Sequence, residues 1–278
     1  MQDAFAYCTE LVRAADKDRF IASVFAPADK RPALHALYAF NVEVARAREA
    51  AREPLPGEIR LQWWRDVLLG ERPGEASANP VASALLAVIE RHRVTASTLI
   101  ELVDARRFDL YDEPMATVSD LEIYAKKTSS AVIASAAQIL GAGEVDAAAD
   151  QTGIAYAVSG LLRAFPVHAA RCQLYVPIKL LERNAVHPDD VFARRRSPGL
   201  DAAMGELRKL ARANLMAARE HLAKLTPEVL PAFLAVALVR PTLDRMERAD
   251  PFSPPELPAW RRQWLIWRAA RNPGRIAA

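Results

Sequence analysis

The chain has 278 residues, half of them hydrophobic, and its 37 basic and 34 acidic side chains leave a net charge of +3. That balance gives no electrostatic case for nucleic-acid binding, and the length suits one large domain or two small ones. Two distant cysteines, Cys8 and Cys172, argue against a disulfide framework and for a reducing, cytoplasmic setting. No apolar run reaches membrane-spanning length, and the acidic N-terminal stretch does not resemble a secretory signal.

Composition rich in alanine, leucine and arginine favours helices. Phe5, Cys8, Leu11 and Val12 recur at helical spacing and predict a helix over residues 3–15. A short stretch to Pro27 leads into a long helix over 31–52, with Leu34, Leu37, Tyr38, Val42 and Ala45 on one face. The Pro54-Leu55-Pro56-Gly57 run is expected to break it, with a further helix over 58–69. Trp63 and Trp64 are adjacent there, so one of them is core and the other faces elsewhere. A polar loop over 70–80 precedes helices at 81–91, 95–111, 118–140 and 147–165. Pro188 opens another, residues 200–225 form a long one, and 231–240 a short apolar one. Residues 251–258 are proline-rich and extended, and 257–271 close the chain as a helix. No strand pattern or repeat is present, so the expectation is a single all-α domain. Residues 251–278 form a tail helix packed on it.

Chemistry concentrates on the helix around Leu37-Tyr38-Ala39-Phe40-Asn41-Val42-Glu43. This run resembles the squalene/phytoene synthases, whose matching helix continues into Asp-Asp-x-x-Asp. Carboxylates three and four apart share one helix face and hold Mg²⁺ against a diphosphate leaving group. Here the aspartate positions fall on Ala45, Arg46 and Glu49. Arg46 sets a cation where a cation has to bind, a repulsion of roughly 1 to 4 kcal/mol at contact distance. The family's second motif resembles residues 153–177, where Arg163, Tyr175 and Pro177 match. Its glutamine and asparagine fall on Ala157 and Gly160, its aspartates on Ala164 and His168. Pro166 is expected to end that helix early. His168 has no second ligand at metal spacing and reads as a packing residue.

The resemblance covers residues 5–223 and implies an isoprenoid-synthase-type helical bundle with a central cavity. Asn41-Val42-Glu43 and the Ile59-Arg60-Leu61-Gln62-Trp63-Trp64 run resemble most closely a branch that lacks the aspartates. That branch includes the mitochondrial complex I assembly factor. What it implies is a non-catalytic helper near the inner membrane, with a subunit of respiratory complex I as the partner, no catalytic residue and no metal. A degenerate pocket would then be lined by Arg19, Phe20, Arg31, Tyr38, Asn41, Arg46, Glu49, Arg163 and Tyr175. Its arginines would hold the anion of a prenyl diphosphate or a lipid directly. The competing expectation is a working prenyltransferase that joins farnesyl or geranylgeranyl diphosphates head to head. It would need Mg²⁺ held by Glu43, Glu49, Asp104 or Asp109.

Three charged or aromatic clusters remain. Asp189 and Asp190 suit the N-terminus of a helix after Pro188, and Arg194-Arg195-Arg196 reads as a solvated loop run. Trp260, Trp264 and Trp267 share one helix face, flanked by arginines. Such a helix either docks its tryptophans on the domain or lies in a membrane interface, and the neighbouring prolines favour docking.

Overall fold

Helix boundaries follow the chemistry of the first turns. The computed structural model describes residues 2–48 and 53–278, and no strand occurs among them. Helix α1 (Gln2–Ala15) buries Ala4, Cys8 and Val12. Asp16 caps α2 (Lys17–Ser23), its side chain accepting from the Arg19 backbone N–H. Helix α3 (Arg31–Ala45) carries Pro32 in its first turn and is buried along most of its length. Its helical bonding ends at Ala45, short of the expected 31–52 span, and residues 46–48 form a turn. Helix α4 (Pro54–Leu69) begins inside the Pro-Leu-Pro-Gly run expected to break the chain. Proline is tolerated in a first turn, where its missing N–H would have had no partner.

The expected loop over 70–80 contains the short helix α5 (Pro73–Ala78). Asn79 then caps α6 (Pro80–His92) through two backbone N–H groups. Helix α7 (Ala96–Ala105) tightens into a 3₁₀ turn over Arg106–Leu110. Thr117 and Asp120 form a capping box on α8 (Val118–Ala125). A π turn over Lys126–Ser130 separates α8 from α9 (Ala131–Ile139), so the expected 118–140 helix is interrupted. That widened turn lies hard against α10 (Asp146–Ala170): a Cβ on Gly153 would stand 2.5 Å from the Ser130 Cα. Helix α10 also continues past Pro166, contrary to expectation. Buried Leu162, Phe165 and Ala169 pin both sides of the proline, and this packing offsets its lost hydrogen bond.

Two short helices, α11 (Ile178–Arg183) and α12 (Pro188–Phe192), precede α13 (Pro198–Leu222). Asp189 and Asp190 stand in the first turn of α12. Two 3₁₀ turns, Leu230–Ala232 and Leu234–Leu238, replace the expected helix over 231–240 and lead into α14 (Val239–Met246). Helix α15 (Ala259–Arg271) follows, with a 3₁₀ turn over Pro273–Arg275 after it.

One continuous apolar core joins these elements. α10 lies along α13, α1 packs on α3 and α6, and α9 sits between α3 and α10. Trp64 is fully buried edge-on to Phe40, with ring centres 5.0 Å apart, while Trp63 sends its indole N–H to Glu75. Helix α15 rests on α2 and on the 3₁₀ turn over Leu234–Leu238. Its Arg262 forks onto both oxygens of the buried Asp18 carboxylate.

Candidate functional site

The resemblance directs attention to the space between α3 and α10, which α2 enters from one side. Arg19 on α2 places its guanidinium 5.6 Å from the Tyr38 ring centre on α3 and 5.0 Å from that of Tyr156 on α10. Its Nη1 donates to Asp16 Oδ2 at 2.8 Å, and both side chains are largely shielded from water. Burial raises the phenol pKa of both tyrosines, so they face the cation as neutral rings. The group is therefore a neutralised ion pair held between two aromatic faces. Phe20 stacks on His35 at 5.4 Å, and Arg31 donates its Nε to the Ala26 carbonyl at 2.9 Å. Asn41 is buried on α3.

Among the described residues, the metal-site positions lie at the C-terminal end of α3 and along α10. Ala45 is half-buried and Arg46 exposed at the end of α3, while Glu49 lies outside the described residues. On α10, Ala157 is buried, Gly160, Ala164 and His168 are half-buried, and Arg163 is exposed. A Cβ on Gly160 would meet nothing within 4 Å, so α10 borders open space at that point. An alanine and an arginine at the end of one helix and an alanine and a histidine on the other do not fit Mg²⁺, a hard cation that takes carboxylate oxygens. Among the described residues, no three His, Cys, Asp or Glu side chains gather as metal ligands. Of the carboxylates the competing expectation would recruit, Glu43 pairs with Arg60 at 3.2 Å. Asp104 lies 3.6 Å from Arg65 and 3.7 Å from Arg107.

The fourth, Asp109, anchors a buried network that draws in Tyr175. Asp109 Oδ1 accepts from the Tyr124 hydroxyl at 2.7 Å and the Tyr175 hydroxyl at 2.6 Å. Its Oδ2 accepts from Arg106 Nη1 at 3.1 Å. The Asp109 carbonyl takes Gln173 Nε2 and Arg48 Nη1, each at 3.1 Å. Tyr175 is thus committed to holding the segment after α10 on the 3₁₀ turn after α7. The His168 ring lies 4.5 Å from that of Tyr175, and burial lowers its pKa to about 4, which makes it a neutral packing group. The void beside them, lined by Phe165, His168, Tyr175 and Leu207, holds about 10 Å³.

The structure therefore brings Arg19, Phe20 and Tyr38 together at the α2–α3 junction and places Tyr175 in the Asp109 network. Sequence reasoning missed Asp16, Tyr156 and Arg106, and it gave Tyr124 and Gln173 no part in this network. The i,i+3 spacing of Asp16 with Arg19 and of Arg106 with Asp109 was a usable signal. No local pattern announces Tyr156. Elsewhere, Arg195 and Arg196 pair with Asp190 and Asp201, as a solvated run does. Cys8 is buried, and burial, aided by Glu43, pushes its thiol up to about 12, while Cys172 is exposed.

The tryptophans overturn an expectation. Trp260, Trp264 and Trp267 are 69%, 44% and 45% exposed, and α15 docks instead through Ile266 and Ala269, both fully buried. The buried positions stand on the face opposite the tryptophans, so a helix resting on one must present the other outward.

The sequence profile of squalene/phytoene synthases matches residues 12–268. The chain belongs to that family. NADH dehydrogenase (ubiquinone) complex I, assembly factor 6, of Rattus norvegicus is 29% identical over 250 residues, covering 89% of this chain and 75% of that protein. Its Homo sapiens counterpart is 29% identical over 246 residues, covering 88% and 74%. A phytoene synthase of Thermus thermophilus is 26% identical over 277 residues, covering 95% and 93%. Among solved structures, a ligand-bound dehydrosqualene synthase superimposes with a TM-score of 0.83 at 19% identity, over 97% of this chain and 96% of that one. The squalene synthase HpnC of Alicyclobacillus acidocaldarius gives 0.78 at 23% identity, over 91% and 95%. These structural likenesses establish the fold of the family member described here.

Proposed function

We propose that this family member has kept the fold, has given up prenyl-diphosphate chemistry, and assists the assembly of respiratory complex I. One observation carries the reading. Both positions where the family holds its metal-binding aspartates are replaced, by Ala45 and Arg46 at the C-terminal end of α3 and by Ala164 and His168 on α10. The relatives named as complex I assembly factors support the second half of the proposal. In this reading the protein works at the inner membrane, held peripherally through Trp260, Trp264 and Trp267, with a complex I subunit as its partner.

Deletion of the gene is expected to lower NADH:quinone oxidoreductase activity in isolated membranes, and unchanged activity would overturn the assembly role. Incubating the purified protein with labelled farnesyl or geranylgeranyl diphosphate, Mg²⁺ and NADPH is expected to yield no condensation product. A C30 or C40 hydrocarbon would instead establish the prenyltransferase reading.

A further inference from the structure

Helix α15 divides its surface into three stripes. Arg262, Ile266 and Ala269 face the body of the protein, with Ile266 and Ala269 fully buried. One residue earlier, roughly 100° around the helix, Arg261, Leu265 and Arg268 line a pocket. One residue earlier again, Trp260, Trp264 and Trp267 point away from the body. Arg268 lies 4.8 Å from the Trp264 ring centre and Arg271 4.9 Å from that of Trp267. Arg268 thus borders both the pocket and the aromatic stripe, and Arg271 extends along the stripe.

The pocket between α14 and α15 has a volume of about 480 Å³, within the ordinary size range of a small-ligand site. Arg240, Arg245, Arg261, Arg268 and Arg275 line it. Against them stands Asp244. Asp244 is already held by Arg212 at 2.8 Å and lies 3.9 Å from Arg240. Among the described residues, Arg245, Arg261, Arg268 and Arg275 have no carboxylate within ion-pair distance. Several unpaired guanidiniums around one recess repel each other unless an anion lies among them. Guanidinium pairs with phosphate through two parallel hydrogen bonds.

We infer that the α14–α15 face docks on an anionic phospholipid bilayer, with a lipid phosphate seated among the pocket arginines and the three tryptophans lying at headgroup depth. The inference rests on the membrane contact proposed above and adds the chemical class of lipid and the residues that select it. Indole rings favour the interface because one edge is apolar and the N–H stays wet. A recess of arginines beside them fits the negative surface of such a bilayer. The two features share one helix and lie a single residue apart in register, so one docking event satisfies both.

Co-sedimentation of the full chain with vesicles tests this directly. The vesicles are phosphatidylcholine alone, or phosphatidylcholine with a third of the lipid replaced by phosphatidylglycerol. Binding is expected to be at least about tenfold tighter to the anionic vesicles, because each arginine near such a surface contributes on the order of a fivefold gain. R261E/R268E should abolish that preference while leaving weak binding through the tryptophans. R245E, an exposed α14 position that leaves α15 untouched, should reduce it several-fold with an unchanged melting temperature. W260S/W264S/W267S should remove binding to both vesicles. Equal binding to neutral and anionic vesicles would overturn the pocket's role and leave the membrane contact standing. Binding of inorganic phosphate without vesicle binding would overturn the lipid and leave a soluble anion. No binding to either vesicle would overturn both inference and membrane contact, leave this face for a protein partner, and leave the assembly role to the deletion experiment.

Discussion

Replacing Asp109 by alanine tests whether that carboxylate is structural. Asp109 is 8% exposed and neutralises Arg106, whose side chain is 17% exposed. It also accepts two tyrosine hydroxyls, at 2.6 and 2.7 Å. Asp109→Ala strands the guanidinium and leaves both phenols without this acceptor. Breaking one side of a buried pair costs about 3–5 kcal/mol, and the hydroxyl bonds are part of that network rather than additional to it. A chain of 278 residues unfolds with an entropy near 0.6 kcal/mol per degree. The melting temperature should therefore fall by about 7 °C in a calorimetric scan at neutral pH. Asp109→Asn keeps one oxygen for the hydroxyls but loses the charge and sets an NH2 donor where Oδ2 accepted from Arg106, so a fall no larger than that of Asp109→Ala is expected. The double variant R106L/D109L removes both charges and should recover much of the loss. A shift below about 1 °C for Asp109→Ala would refute the argument. So would a Mg²⁺-dependent stabilisation of the wild type that Asp109→Ala abolishes, because it would place Asp109 in a metal site.

Other expectations follow from the same structure. His35 sits between Ser23 Oγ at 2.8 Å and Thr9 Oγ1 at 3.0 Å, and burial together with Arg31 lowers its pKa to about 4. Because the unfolded chain binds that proton first, its contribution is complete above pH 6.5 and lost as the pH falls from there towards 4. Urea unfolding at pH 7 and pH 5 should differ by up to about 2 kcal/mol from this group, with His168 acting in the same direction. His35→Gln should shrink that difference, and an unchanged difference would refute the assignment. Gly153→Ala places a Cβ 2.2 Å from Ser130 Oγ and 2.5 Å from its backbone. Separating α10 from the π turn should cost at least about 1–3 kcal/mol, read as a lower urea midpoint. A wild-type midpoint would mean the two helices are not held at that distance. Arg262→Ala leaves Asp18 buried without its partner and should cost about 2 kcal/mol, discounted because Arg262 is partly exposed. Hydrogen exchange should rise in α15 and not in α13, and equal change in both would count against a local clamp.

The helical class was legible because apolar spacing and proline placement are local properties. The replaced aspartates were legible because side-chain identity needs no structure to read. The split at the π turn was not legible: nothing within 118–140 announces that α10 will press its Gly153 against Ser130. The survival of α10 through Pro166 was hidden for the same reason, since packing along its flanks, mainly from α13, holds both halves in line. Tyr175 was recognised as a site residue, yet its hydroxyl goes to Asp109, 66 positions earlier. The sequence alone determined an all-α member of a known family without its aspartates, because residue type, spacing and period are written along the chain. Only the tertiary structure decided which charges neutralise one another and which way α15 faces. Arg262 finds Asp18 across 244 positions, and that clamp, with Ile266 and Ala269, turns the tryptophans outward.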